Sequence, residues 1–162
     1  TLVVGTEELA AGTVLVKTMA TGEQHPVPLD SAVEHVTGLP RINMVLVNPG
    51  VAVPTPSVFR ALESRNNPPL LALPSQPAFA DLVAWLAHHT RNDLEAPALS
   101  IAPVIGEAIG ALRANGAALA RMSGSGATCF GLYADEDEAS RAAASIAKAH
   151  PSWYVVATQT TE

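Results

Sequence analysis

The glycine break in the last third of the chain constrains the fold more than any other stretch. An apolar run ending at Leu119-Ala120-Arg121-Met122 gives way to Ser123-Gly124-Ser125-Gly126-Ala127-Thr128, then resumes as Cys129-Phe130-Gly131-Leu132-Tyr133. Strands over 119–122 and 128–133 lie too close in sequence for a parallel return, which needs a dozen or more residues, so they pair as an antiparallel hairpin. No Lys-Ser/Thr pair follows the glycines, so the break is not a P-loop. No Gly-x-Ser-x-Gly spacing surrounds Ser123 or Ser125, so it is not a nucleophile elbow either. Two readings stay open on the residues alone. One is a plain hairpin connection that uses glycine for positive φ; the other is a cradle of backbone N–H groups suited to a phosphate.

The elements on either side extend the hairpin into a sheet with helices. Asn43 to Asn48 is a short apolar run closed by Pro49-Gly50, a buried strand. Thr55-Pro56 reads as an N-cap with proline at the first helical position, followed by Val58, Ala61 and Leu62 at helical spacing. Residues 66–77 are loop. Phe79, Leu82, Val83 and Leu86 define an amphipathic helix. After the interruption Arg91-Asn92-Asp93-Leu94-Glu95, one longer helix is expected to carry Ile101, Val104, Ile105, Ala108, Ile109 and Leu112 on one face, stopping at Asn115-Gly116. Asp135 to Glu138 place negative charge at the start of the next helix, whose narrow stripe is Ala139, Ala142, Ala143, Ile146 and Ala147. A strand over 153–158 closes the chain. From Asn43 onward this order predicts an α+β sandwich, helices on a small, mainly antiparallel sheet.

Residues 1–36 form a separate pattern. Leu2-Val3-Val4 is strand-like, Thr13 to Lys17 is rich in β-branched residues, Thr21-Gly22 is turn chemistry, and Glu23 to Leu29 alternates weakly. Asp30 is placed to cap a short helix through Ala32, Val33 and Val36. Thr37-Gly38-Leu39-Pro40 is the expected boundary, giving an appendage over 1–37 and a main domain over 41–162. The chain starts at a threonine already followed by a strand, so it is expected to be a piece of something larger.

Composition removes several function classes. A net charge of −6 opposes a general nucleic-acid footprint. No apolar run is long enough for a membrane span, so no membrane partner is expected. A single cysteine, Cys129, permits no internal disulfide and suits a reducing, cytoplasmic setting. His88 and His89 are adjacent, so a helix would turn their side chains about 100° apart, and no metal site is expected.

Besides the glycine break, two stretches are candidates for chemistry. Asn48-Pro49-Gly50 with Thr55-Pro56 and Phe59 is either a turn plus a cap, or a ligand pocket with Phe59 as aromatic platform. Arg91 to Glu95 is a solvated linker on its face, although Asn92 and Asp93 are also good capping residues.

VLVNPGVAVPTPSVF, RNDLE and ARMSGSGATCFGLY, in that order and at those intervals, resemble the C-terminal half of the 4-diphosphocytidyl-2-C-methyl-D-erythritol kinases, of the GHMP kinase superfamily. The resemblance covers about residues 41–158. It implies a ferredoxin-like α+β lobe and a role in phosphorylating a hydroxyl of 4-diphosphocytidyl-2-C-methyl-D-erythritol, in non-mevalonate isoprenoid biosynthesis. Ser123, Gly124, Ser125 and Gly126 match the family's third motif, near the phosphates and the accepting end of the substrate. Pro56 and Phe59 match the cytidine pocket, Phe59 stacking on the base, with Thr55 beside them. Asn92 and Asp93 match a pair that organises the loop between two helices.

The family's Asp base, its companion Lys and its Pro-x-x-x-Gly-Leu-Gly-Ser-Ser phosphate loop belong to the N-terminal half, and none of these motifs occurs here. No catalytic residue is therefore assigned in this chain, and catalysis by it alone is not expected. ATP with Mg²⁺ is implied for the complete family enzyme, with no tight binding to this chain alone; the expected partners are the cytidine diphosphate sugar alcohol and the missing N-terminal half. Residues 1–36 resemble instead the end of a histidyl-tRNA synthetase anticodon-binding domain, through Gly-x-x-Glu-Leu, Gly-Thr-Val-x-Val-Lys and Thr-Gly-Glu-Gln. A competing alignment sets Ala11-Gly12-Thr13 and Gly22-Glu23 on the kinase's own mid-chain strand and turn, but the synthetase alignment matches more positions. An anticodon-binding module for tRNA is the alternative function; the acidic balance makes tRNA the less expected partner, and a folded fragment without activity is the third possibility.

Overall fold

The computed structural model describes residues 2–3, 13–17, 24–28, 40–64 and 71–160. The chain divides into two compact units, one over 1–39 and 67–77, the other over 40–66 and 78–162.

The first unit holds a three-stranded antiparallel sheet in the order β1-β2-β3, from β1 (Leu2–Val3), β2 (Thr13–Lys17) and β3 (Gln24–Pro28). Leu2 pairs with Val16, and Thr13 with Pro28. The strand Thr13-Val14-Leu15-Val16-Lys17, rich in β-branched residues, takes the central position. The two prolines of β3 sit on an edge strand, where a missing N–H is tolerated. The expected helix from Asp30 lies outside the described residues.

The second unit is a four-stranded antiparallel sheet with helices. Its elements in chain order are β4 (Asn43–Asn48), α1 (Thr55–Arg60), α2 (Phe79–His89), α3 (Glu95–Ile101), α4 (Val104–Ala114), β5 (Leu119–Met122), β6 (Cys129–Tyr133), α5 (Glu136–Ala149) and β7 (Tyr154–Gln159). The spatial order is β5-β6-β4-β7, all neighbours antiparallel. This is the β-α-β-β-α-β ferredoxin-like arrangement, as the sequence predicts. Alternation along the strands sends Val45 and Val47 of β4 and Cys129 and Tyr133 of β6 to one face. The helices cover that face with Ile105, Ala108, Ile109 and Leu112 of α4 and Ala139, Ala142 and Ile146 of α5. Each fully buried Ile or Leu contributes about 1.5–3 kcal/mol of transfer free energy. The small alanines let α5 lie close to the sheet, and Asp135 caps it by accepting a hydrogen bond from the Glu138 N–H at 2.7 Å.

Four local expectations are corrected. The single long helix is two, α3 and α4, which meet at 119°; Pro103 cannot donate an N–H to continue α3, and Ile101 ends α3 at 39% exposure instead of joining the α4 stripe. Helix α1 is capped by Pro54, with Thr55 its first residue and Pro56 its second, so the Thr55 hydroxyl is free for a different contact. That helix ends at Arg60, before Ala61 and Leu62. Ala147 is exposed on α5 rather than part of its buried stripe.

The registers gather the ends of three strands. Val47 lies opposite Cys129, and Cys129 opposite Met122, so Asn48, Met122 and Cys129 share one end of the sheet. Asn43, Tyr133 and Gln159 share the other.

Candidate functional site

The site is built around the 123–128 loop, the β5–β6 hairpin connection. Two backbone bonds shape it: the Ser123 N–H donates to the Thr128 carbonyl at 2.8 Å, and the Gly126 N–H to the Ser123 carbonyl at 3.1 Å. Gly124 and Gly126 adopt φ of +56° and +91°, in the region that favours glycine. The N–H groups of Gly124 and Ser125 donate to no protein acceptor among the described residues. Ser123 and Gly124 are exposed, Ser125 and Gly126 half-buried. The hairpin and the cradle readings are thus compatible, since the hairpin connection leaves two N–H groups uncommitted.

Three separate segments reach this loop. From the end of β4, the Asn48 side-chain amide donates to the Thr128 hydroxyl at 2.9 Å, while its carbonyl oxygen accepts from the Gly50 N–H at 2.9 Å. From the start of α1, the Thr55 and Ser125 hydroxyls share a hydrogen bond of 2.8 Å. From the segment before α3, the Asn92 amide donates to the carbonyls of Met122 at 3.0 Å and Gly124 at 2.8 Å. Its own carbonyl oxygen accepts from the Leu94 N–H at 3.1 Å. Asn48 and Asn92 therefore use one device twice: the carbonyl closes a local Asx-turn, and the amide is left pointing at the loop.

The neighbouring Glu95 accepts from the Met122 N–H at 2.9 Å. Below the loop, burial pushes the Cys129 thiol up to about 12, and the Glu95 charge adds to the shift. That thiol is fully buried, and burial favours its protonated form, the setting of a structural rather than a reactive cysteine. The 90–95 segment is held in turn by Arg121, which donates to the Thr90 hydroxyl and, at 2.9 Å, to the Leu86 carbonyl at the end of α2.

Of the residues singled out from sequence, Ser123 to Gly126, Thr55 and Asn92 come together here. Asp93 does not touch the loop through its ion pair, which is with Arg91 at 2.6 Å. Pro56 and Phe59 lie on the exposed side of α1, Phe59 46% exposed while the adjacent Val58 is fully buried. Glu95, Asn48 and Thr128 lie within the candidate stretches, but the sequence assigns none of them a role of its own. The Asx-forming Asn48 before Pro49-Gly50 was the one legible signal, and nothing local marks Glu95 as more than a first-turn acid. An open cavity of about 300 Å³ lined by Asn43, Glu136, Ser140 and Gln159 lies at the other end of the sheet and shares no residue with the loop. Among the described residues no group of three His, Cys, Asp or Glu could hold a metal ion, and no single helix is long and apolar enough to cross a membrane.

Residues 69–152 match the family described as GHMP kinases C terminal. The chain belongs to the GHMP kinase family. It is 50% identical over 127 residues to a 4-diphosphocytidyl-2-C-methyl-D-erythritol kinase of Chelativorans sp., covering 78% of this chain and 43% of that protein. A protein of the same name from Paracoccus denitrificans is 52% identical over 120 residues, 74% of this chain and 44% of the other. The chain thus spans less than half the length of these curated relatives. Among solved structures, a 4-(cytidine 5'-diphospho)-2C-methyl-D-erythritol kinase superposes with a TM-score of 0.61 at 29% identity, over 94% of this chain and 52% of that one. A homoserine kinase from Cytophaga hutchinsonii, at 16% identity and a TM-score of 0.56, shares the fold. Residues 1–39 match a second family, the anticodon binding domain.

Proposed function

We propose that this GHMP kinase chain is the substrate-binding lobe of an ATP-dependent kinase acting on a hydroxyl of 4-diphosphocytidyl-2-C-methyl-D-erythritol, a step of non-mevalonate isoprenoid synthesis. The observation that carries the proposal is the convergence of Asn48 and Thr55 from the first ordered motif and Asn92 from the second on the glycine loop of the third, which keeps two uncommitted N–H donors. Phosphoryl transfer relies on positioning and on donors aimed at the charged oxygens, more than on covalent chemistry. In this role the Gly124 and Ser125 N–H groups and the Ser123 hydroxyl hold phosphate oxygens. Pro56 and Phe59 present a flat apolar surface to the cytosine ring, which stacks on Phe59.

ATP with Mg²⁺ supplies the transferred phosphoryl group in the complete enzyme. The donors of the glycine loop fit phosphate oxygens, whereas the described residues offer no acidic cluster for the metal. The base that takes the substrate's proton belongs to the N-terminal half, so this chain binds and orients but does not turn over by itself. Asn92 shapes the loop, while Asp93 and Arg91 order the turn before α3.

The experiment is a calorimetric titration of the 162-residue chain with cytidine 5'-diphosphate. Binding is expected, and Phe59→Ala should weaken it about tenfold or more, the value of one base–aromatic stack. Equal heats for the two proteins would refute the pocket. A tRNA-binding role for residues 1–39 draws support from their anticodon-domain match, but the net charge of −6 opposes contact with a phosphate backbone.

A further inference from the structure

The edge of the sheet shows how the loop is aimed. Strand β5 is an edge strand, and Met122 is its last residue. Both backbone groups of Met122 are taken by side chains in place of a further strand: its N–H by the Glu95 carboxylate at 2.9 Å, its carbonyl by the Asn92 amide at 3.0 Å. The same amide holds the Gly124 carbonyl at 2.8 Å.

In a trans peptide the C=O and the following N–H point in opposite directions. The Met122–Ser123 unit shows this directly, with its carbonyl on Asn92 and its N–H on Thr128. The Gly124–Ser125 unit has its carbonyl on Asn92 as well, so its N–H is turned away from the 92–95 segment. That N–H, of Ser125, is one of the two uncommitted donors of the loop. A residue that never reaches a ligand thereby sets the direction in which a phosphate-binding group points.

We infer that Asn92 and Glu95 form a latch of positioning residues, Glu95 anchoring the end of β5 and Asn92 aiming the Ser125 N–H at the ligand's phosphate. The inference rests on the substrate-lobe reading for the ligand, and on geometry alone for the latch. It predicts an effect confined to phosphate-bearing ligands, because the hydrogen bonds of both side chains go to Met122, Gly124 and Leu94 and none goes to α1, where Phe59 lies. Glu95 acts here as an acceptor and not through its charge, so a glutamine in its place keeps the bond through its amide oxygen.

The test measures affinity of the full 162-residue chain for cytidine 5'-diphosphate and for cytidine, with site-resolved amide exchange on the same proteins. Glu95→Ala should lose about tenfold in affinity for the diphosphate, as should Asn92→Asp, which keeps the acceptor for Leu94 but removes both amide donors. Cytidine should bind both variants as it binds the parent, and Glu95→Gln should bind the diphosphate at least as well as the parent. In Glu95→Ala the Met122 amide should exchange at least tenfold faster. An unchanged diphosphate-to-cytidine ratio in both disruptive variants would overturn the latch, as would a Glu95→Gln protein as impaired as Glu95→Ala. If the parent chain binds neither ligand, the substrate-lobe reading falls, and the Met122 amide decides the latch alone: acceleration supports it, unchanged exchange refutes it.

Discussion

An alanine at position 126 would put a methyl group into the most tightly closed point of the glycine loop. Gly126 has φ of +91°, where a side chain is strained, at a cost of about 1–2 kcal/mol. The added Cβ would lie 2.9 Å from the Met122 sulfur and 3.2 Å from the Ile105 Cδ1. Both neighbours are buried, Met122 at 1% exposure and Ile105 at 0%, so neither can swing into solvent. Overpacking of this kind costs about 1–3 kcal/mol, and together the two effects give about 2–5 kcal/mol. Gly124 supplies the control, because its φ is +56° and its Cβ would meet nothing within 4 Å. Gly124→Ala should therefore cost about 1–2 kcal/mol from backbone strain alone. The assay is urea unfolding followed by tryptophan fluorescence, since Trp85 and Trp153 both lie in the unit that carries the loop. A Gly126→Ala protein within 0.5 kcal/mol of the parent, or less affected than Gly124→Ala, would refute the packing described for the loop.

Two further outcomes follow from the same structure. Asp135→Ala removes the only side-chain cap of α5 among the described residues and should cost about 1 kcal/mol in the same urea assay, with Asp135→Asn retaining most of the stability. Cys129 and Tyr133 both have acid forms held by burial, each raised to about 12 from ordinary values of 9.0 and 10.0. The unfolded chain thus releases these protons first. Their contribution is complete below about pH 9 and is lost as pH climbs toward 12, so the urea midpoint should fall over that window; a midpoint flat from pH 9 to 11 would contradict the burial of both groups.

Much of the fold could be read from periodicity because the core is made of regular stripes. Val45 and Val47 alternate, and Ile105, Ala108, Ile109 and Leu112 recur on one turn-by-turn face, so burial follows spacing. Ile101 fits the same spacing and misled, because a stripe does not reveal a break in the helix that carries it; Pro103 was the better guide. Thr55 before Pro56 has the composition of a cap, yet its hydroxyl bonds Ser125, seventy residues away. No local rule weighs a capping bond against a distant one.

The site was legible in its parts and hidden in its assembly. Ser123 to Gly126 stand out because glycine and serine interrupt an apolar run. Asn92 stands out as a polar residue between helices, but the direction of its amide depends on where β5 ends. Glu95 has no distinguishing neighbour pattern at all; its role exists only because Met122 closes an edge strand with no further strand beside it.

The central claim is that three distant segments make one phosphate-directed site. Amide chemical-shift mapping of the whole chain during titration with cytidine 5'-diphosphate tests it most directly. The account predicts the largest shifts at Gly124, Ser125 and Phe59, with a matching shift of the Asn92 side-chain amide. Saturable shifts confined to the far end of the sheet, around Asn43, Glu136 and Gln159, or no shifts at millimolar ligand, would contradict it.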